Sequence, residues 1–200
     1  HNPKGEIVGF GGRALTDQQP KYLNSKESAL FHKSNILYGL YQARQATLDY
    51  LIVVEGYMDV LMLSNYGINN VVATLGTAIT TQHLRQMFKY THKIAFCFDG
   101  DQAGEKAAWK ALNQALALLV DGVELKFVFM PAGEDPDSFI QKFGRSQFKQ
   151  CFADGIPMTD YMFQELERQF PTHNLEKKAI FGKRALQMIE QMQNSMLKQL

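Results

Sequence analysis

The sequence predicts an α/β fold: a central, mostly parallel four-stranded sheet flanked by helices, a short mixed segment before it and a C-terminal helical bundle after it. Two observations carry this. Four short apolar runs, at 50–54, 70–74, 94–98 and 124–130, alternate with helix-like stretches, the pattern of right-handed strand–helix–strand crossovers. Beyond Pro136 the strand-like runs stop and only helical spacing remains.

The elements follow in order. Glu6-Ile7-Val8-Gly9-Phe10 reads as a short strand, Gly11-Gly12 as a tight turn and Arg13-Ala14-Leu15 as a returning strand. From Ser34 to Leu48 the apolar residues Leu37, Leu40, Tyr41 and Leu48 fall roughly on one helical face. Tyr50-Leu51-Ile52-Val53-Val54 is continuously apolar, as expected of a strand covered on both sides. A helix from Tyr57 to Tyr66 ends at Gly67, and a second strand covers Asn70–Thr74. Thr80-Thr81 caps a helix reaching about Tyr90, since a threonine hydroxyl can accept from a free first-turn N–H. Ile94–Phe98 is the third strand, Ala103–Val120 a long helix and Glu124–Met130 the fourth strand. Helices are expected near 136–143, 146–153, 158–169 and 175–197, broken at Gly144, Gly155-Ile156-Pro157 and Pro171. The chain therefore divides into 1–49, 50–135 and 136–200.

Composition narrows the function classes. Two hundred residues, 46% hydrophobic and 20% charged, suffice for a buried core without disulfides and exclude a disordered chain. Cys97 and Cys151 form no C-x-x-C pair, so a Cys-rich zinc site is excluded and a reducing compartment is expected. The longest apolar stretches fall well short of a bilayer span. The opening His1-Asn2-Pro3-Lys4-Gly5 reads as a cut through a longer protein. A net charge of +1 conceals an acidic block: residues 99–137 hold 3 basic and 8 acidic side chains.

That block falls where chemistry is expected. Open α/β sheets bind ligands outside the carboxyl ends of their strands. Strand one runs into Glu55-Gly56-Tyr57-Met58-Asp59, strand three into Asp99-Gly100-Asp101, and strand four is followed by Gly133-Glu134-Asp135-Pro136-Asp137. Glu55 and Asp59, at i,i+4 across a helix start, can face one point, and Asp99 and Asp101, at i,i+2, share one side of an extended segment. Two carboxylates 4 Å apart repel by about 1 kcal/mol in water and about 4 kcal/mol at an effective dielectric of 20. Divalent Mg²⁺ or Mn²⁺ would relieve this, and two such ions can drive phosphoryl transfer. The plainer alternative makes Glu55 and Asp101 helix caps and the other acids solvated. Upstream, Arg13, Lys21, Lys26 and Lys33 are interleaved with Tyr22, Asn24 and Phe31, a set suited to triphosphate or nucleic-acid backbone and equally to a solvated loop.

Two motif matches fail. Asp99-Gly100-Asp101-Gln102-Ala103-Gly104 begins like a calcium loop, but Ala103 and Lys110 stand where ligands are required. Gly9-Phe10-Gly11-Gly12-Arg13-Ala14 fits a dinucleotide fingerprint that the following Leu15–Pro20 cannot continue as a helix.

Glu-Gly-Tyr-Met-Asp-Val at 55–60, Asp-Gly-Asp at 99–101 and Gly-Glu-Asp-Pro-Asp at 133–137 resemble the Toprim domain of bacterial replicative DNA primases. Gly-Phe-Gly-Gly-Arg at 9–13, Lys-Tyr-Leu-Asn-Ser at 21–25 and Leu-Phe-His-Lys at 30–33 resemble the same family, the more specifically for Lys-Tyr-Leu-Asn-Ser. The resemblance implies DNA-templated synthesis of short RNA primers from ribonucleoside triphosphates in the bacterial cytoplasm, at the replication fork. It makes Glu55, Asp59, Asp99, Asp101, Asp135 and Asp137 metal-binding acids, with Glu55, Asp99 and Asp101 closest to catalysis. Arg13, Lys21, Tyr22, Asn24 and Lys33 become nucleotide contacts. It implies two or more Mg²⁺ or Mn²⁺ ions and no zinc here. Partners are single-stranded template, RNA–DNA hybrid, and, through regions outside this chain, replicative helicase and single-strand binding protein; no membrane is involved. Residues 1–49 would be the remnant of the N-terminal part of the polymerase core. The fragment is expected to bind metal and nucleotide but to make primers poorly. A Toprim nuclease or topoisomerase, and a non-catalytic Toprim scaffold, are the competing readings.

Overall fold

A computed structural model describes residues 1–14, 19, 22–45, 48–193 and 196–199. The four expected strands are present and parallel. β3 (Leu51–Val54) pairs with β4 (Val71–Ala73) on one side and β5 (Lys93–Phe98) on the other, and β5 pairs with β6 (Glu124–Phe129). A fifth, two-residue strand, β7 (Ile156–Pro157), closes the β6 edge antiparallel, giving the order β4-β3-β5-β6-β7. Its brevity and its proline hide it from any reading of periodicity.

Both sheet faces are covered, which is why the strands read as unbroken apolar runs. Successive strand side chains point to opposite sides, and the core divides accordingly. Ile52, Val54, Ala95, Cys97 and Val128 meet Val60 and Leu63 of α2 (Tyr57–Asn65) and Phe139, Ile140, Phe148 and Phe152 of α5 (Pro136–Ala153). Leu51, Val53, Phe96 and Phe127 meet α3 (Thr81–Met87), α4 (Gln102–Leu116), α6 (Met158–Gln169) and α7 (Leu175–Gln191). The C-terminal helices thus feed the two sheet cores. A short α8 (Met196–Gln199) follows. The expected break inside α5 is real: Gly144 takes φ +75°, a conformation that favours glycine.

The N-terminal segment departs from expectation. The hairpin is β1 (Gly11–Arg13) with β2 (Tyr22–Asn24), in the register Gly11↔Asn24 and Arg13↔Tyr22. Gly11-Gly12 is therefore extended strand, not a turn. A Cβ at Gly11 would stand 3.1 Å from Asn24 Oδ1, a tight contact across the hairpin. Leu15, expected in the return strand, lies outside the described residues. The long helix expected over 34–48 shrinks to α1 (Leu40–Ala43). Tyr38 instead bridges to Ala73 at the sheet edge, and Gly39 at φ +85° turns the chain into the short helix. Residues 46 and 47 lie outside the described set.

Candidate active site

The parallel sheet delivers three acid-bearing segments to one edge. β3 ends at Val54, so Glu55 emerges at the strand end; Gly56 then caps α2, its N–H donating to Asp59 Oδ2 at 3.0 Å. β5 ends at Phe98 and runs into Asp99, while Asp101 caps α4 by accepting from the Gly104 N–H at 2.8 Å. After β6, Asp135 caps α5, accepting from the Ser138 N–H at 2.6 Å.

Glycines make the second and third segments fit. The Gly100 N–H donates to the Glu134 carbonyl at 3.0 Å, and the Gly133 N–H donates to the Gly100 carbonyl at 3.3 Å. A Cβ on Gly100 would lie 2.1 Å from the Pro131 carbonyl oxygen, and one on Gly104 would lie 2.2 Å from that of Asp99. Asp-Gly-Asp-x-Ala-Gly is thus a close-approach motif, with its acids held against the Glu134–Asp135 turn.

Glu55, Asp59, Asp99, Asp135 and Asp137 line one cleft of about 330 Å³, whose other wall carries Arg13, Tyr22 and Asn24. Of the residues expected at the site, Asp101 and Lys33 are not brought into this lining. Asp101 acts as the helix cap of the plainer alternative, while its charge still bears on Glu55. The Lys33 backbone is held by the Glu27 carboxylate at 3.0 Å and by His83 Nε2 at 2.9 Å. Lys21 lies outside the described residues.

The electrostatics are those of crowded carboxylates. Burial, then the charges of Asp135 and Asp137, push Asp59 up to about 7 against the Gly56 N–H. Burial, then Glu55, Asp59, Asp135 and Asp101, push Asp99 to about 7 as well. Burial also raises Glu55, opposed by the Asp99 backbone N–H, and Glu55 Oε1 is buried with no hydrogen-bond partner. Among the described residues, no three Asp, Glu, His or Cys side chains form a ready metal cage. The acids line an open cleft instead. An orphaned carboxylate oxygen beside two destabilised carboxylates fits a hard cation that takes one or two protein oxygens and completes its shell elsewhere.

Two features were missed in the sequence. Tyr57 joins the walls: its ring lies edge-on to Tyr22 at 5.7 Å and 5.8 Å from Tyr38, and the Arg13 guanidinium sits 5.8 Å from the Tyr22 ring centre. The Tyr57 hydroxyl is buried and has no hydrogen-bond partner. His83, fully buried, accepts from the Thr80 N–H at 3.3 Å, binds the Lys33 carbonyl and ties the 32–36 segment to α3. The Thr80 cap was legible; a histidine in the third helical position was the available clue.

Comparison with known proteins gives three family matches in sequence order. They are the N-terminal domain of the DNA primase catalytic core at residues 1–44, a Toprim-like domain at 52–140, and the DnaB-helicase binding domain of primase at 159–200. DNA primases of Pseudomonas putida, Pasteurella multocida and Escherichia coli K12 are 47%, 45% and 43% identical, each over 98% of the chain. The chain belongs to the bacterial DNA primase family. It spans 30% of the Pseudomonas putida primase and 34% of the Escherichia coli one. A crystal structure of a DNA primase domain from Pseudomonas aeruginosa matches with TM-score 0.93 and 46% identity, over 98% of this chain and 61% of that one. A DnaG primase catalytic domain bound to ssDNA matches with TM-score 0.94 and 43% identity, over 98% of this chain and 64% of that one. The primase helicase-binding match falls within the chain, where only regions outside it were expected to serve the helicase.

Proposed function

We propose that this chain carries the metal- and nucleotide-binding part of a primase polymerase centre, which joins ribonucleotides into short primers on a DNA template. One observation supports the reading above the rest: three strand ends bring Glu55, Asp59, Asp99, Asp135 and Asp137 into a single cleft facing Arg13, Tyr22 and Asn24. A scaffold has no use for mutually repelling acids, whereas phosphoryl transfer uses them to hold cations against phosphate.

Glu55 and Asp99 would hold Mg²⁺ or Mn²⁺, with Asp59, Asp135 and Asp137 completing the acidic wall and Asp101 acting through its charge. Such an ion, when bound, activates the attacking oxygen and stabilises the leaving one. In the transfer, a primer 3′-hydroxyl oxygen bonds to the α-phosphorus and the bond to pyrophosphate breaks. The Glu55 carboxylate would take the hydroxyl proton. Arg13 neutralises triphosphate charge, Tyr22 offers a ring face and Asn24 an amide. Lys21 and Lys33 are assigned to nucleotide by resemblance alone. Residues 1–49 supply nucleotide contacts, 50–135 the acids up to Asp135, and 136–200 Asp137 and the C-terminal helices, of which 159–200 match the helicase-binding domain of primase. Single-stranded template, RNA–DNA hybrid and single-strand binding protein complete the partners, in the bacterial cytoplasm at the fork. The isolated chain is expected to bind nucleotide while making primers poorly.

The test is Mn²⁺-dependent binding of fluorescent ATP. Binding is expected to vanish without metal, to be lost in Asp99→Asn and to weaken about tenfold in Arg13→Ala, the loss of one charge-assisted contact. ATP binding that ignores both metal and Asp99→Asn would contradict the reading.

A further inference from the structure

Two clefts beyond the acidic one meet over α4. One, of about 410 Å³, lies between α4 and the 74–79 loop; the other, of about 390 Å³, lies between α4 and α6 and has Trp109 in its wall. Lys106 and Lys110 line both. The first cleft shares Glu55, Thr74 and Gly76 with the acidic cleft, so a continuous path runs from the acids across α4.

The path is built for a chain of phosphates. Both lysines are exposed, and neither has an ion-pair partner among the described residues. At i,i+4 they stand about 6 Å apart by helical rise, far enough for each to take a different phosphate of one strand. Arg168 adds no free charge here, because Glu165 holds it at 2.8 Å and Glu105 approaches at 3.9 Å. Thr77 Oγ1, in the first cleft, is buried without a hydrogen-bond partner. Half-buried Trp109 offers a stacking face, and cationic groups interleaved with an aromatic track single strands without reading sequence. The first cleft is otherwise walled by apolar residues such as Ile79, Phe98, Ala103 and Ala107, which offer little to a ribose 2′-hydroxyl.

We propose that α4 guides a single strand of DNA to the acidic centre, with Lys106 and Lys110 on successive phosphates and a base stacked on Trp109. This rests on the acids being the transfer centre. Trp109 is the sole tryptophan of the chain, so its emission reports this path alone. Oligothymidylate is expected to quench it saturably. In the double variant Lys106→Ala/Lys110→Ala, affinity should fall about tenfold or more. The slope of log K against log salt should shrink by about 1.4, which is about 0.7 per lost phosphate contact. Lys106→Arg/Lys110→Arg should keep the slope. No DNA-dependent change in emission, or an unchanged slope in the alanine variant, would overturn the proposal; oligouridylate losing as much slope would overturn its assignment to DNA. Mn²⁺ binding, measured on the same samples, separates the two readings. Its absence in the unsubstituted chain counts against the acidic centre, whereas an unchanged salt slope with Mn²⁺ bound counts against the α4 path alone.

Discussion

Asp59 and Asp99 show how burial turns an ordinary carboxyl into a metal-seeking one. Each stands at about 7 against an ordinary value of 3.8, so the folded chain binds these protons more tightly than the unfolded chain does. Stability from these groups is therefore fully present below about pH 4 and lost as pH rises to about 7. Urea melts without metal should show the chain less stable at pH 7.5 than at pH 5. Asp99→Asn should recover on the order of 1–2 kcal/mol of that loss, and saturating Mn²⁺ should do the same for the unsubstituted chain. A melt midpoint indifferent to pH, metal and substitution would remove the electrostatic argument. Gly100 is a steric counterpart. Because a Cβ there meets backbone at 2.1 Å, Gly100→Ala should destabilise by about 3 kcal/mol or more. Gly12→Ala, where a Cβ meets nothing within 4 Å, should cost about 1 kcal/mol or less. Paired denaturant melts check both.

At the scale of elements, the parts legible in the sequence were those whose periodicity was unambiguous. Tyr50–Val54 and Ile94–Phe98 read as strands because they are continuously apolar, as burial of both faces requires, and the strand-end rule then located Glu55 and Asp99 without coordinates. The N-terminal hairpin was misplaced because Gly11-Gly12 looks like a turn locally, while its extended shape is set by a partner strand at Tyr22–Asn24. Leu37, Leu40 and Tyr41 have helical spacing, yet only Leu40–Ala43 is helical, because the bridge from Tyr38 to Ala73 holds the residues before it at the sheet edge. Asp101 shared a motif with Asp99, and Lys33 shared a family resemblance with Arg13, Tyr22 and Asn24, without either entering the cleft, because spacing along the chain says little about where a side chain ends. His83 was readable only as a cap, since its bond to the Lys33 carbonyl joins positions fifty residues apart. Burial lowers its proton affinity, so it sits neutral between Thr80 and Lys33. His83→Ala should cost about 2 kcal/mol, the price of leaving buried polar groups unpaired. It should also speed amide exchange over 32–36 before exchange elsewhere changes; uniform exchange across the chain would contradict this anchoring role.

Across the molecule, one construction principle links fold and site: a doubly covered parallel sheet holds its core on two faces and leaves one edge for charge. The two hydrophobic cores fix β3, β5 and β6 in register. That register places acids from three separate segments in one cleft of about 330 Å³. The hairpin bearing Arg13, Tyr22 and Asn24 closes the cleft through the Tyr22–Tyr57 contact. The claim on which the rest depends is that these carboxylates form one shared cation site. Calorimetric titration of Mn²⁺ into the unsubstituted chain, Asp99→Asn and Glu55→Gln at pH 7.5 tests it directly. Saturable binding, weakened at least about tenfold by each substitution, is the expected result. Equal binding by all three proteins would place the cation elsewhere and contradict the account.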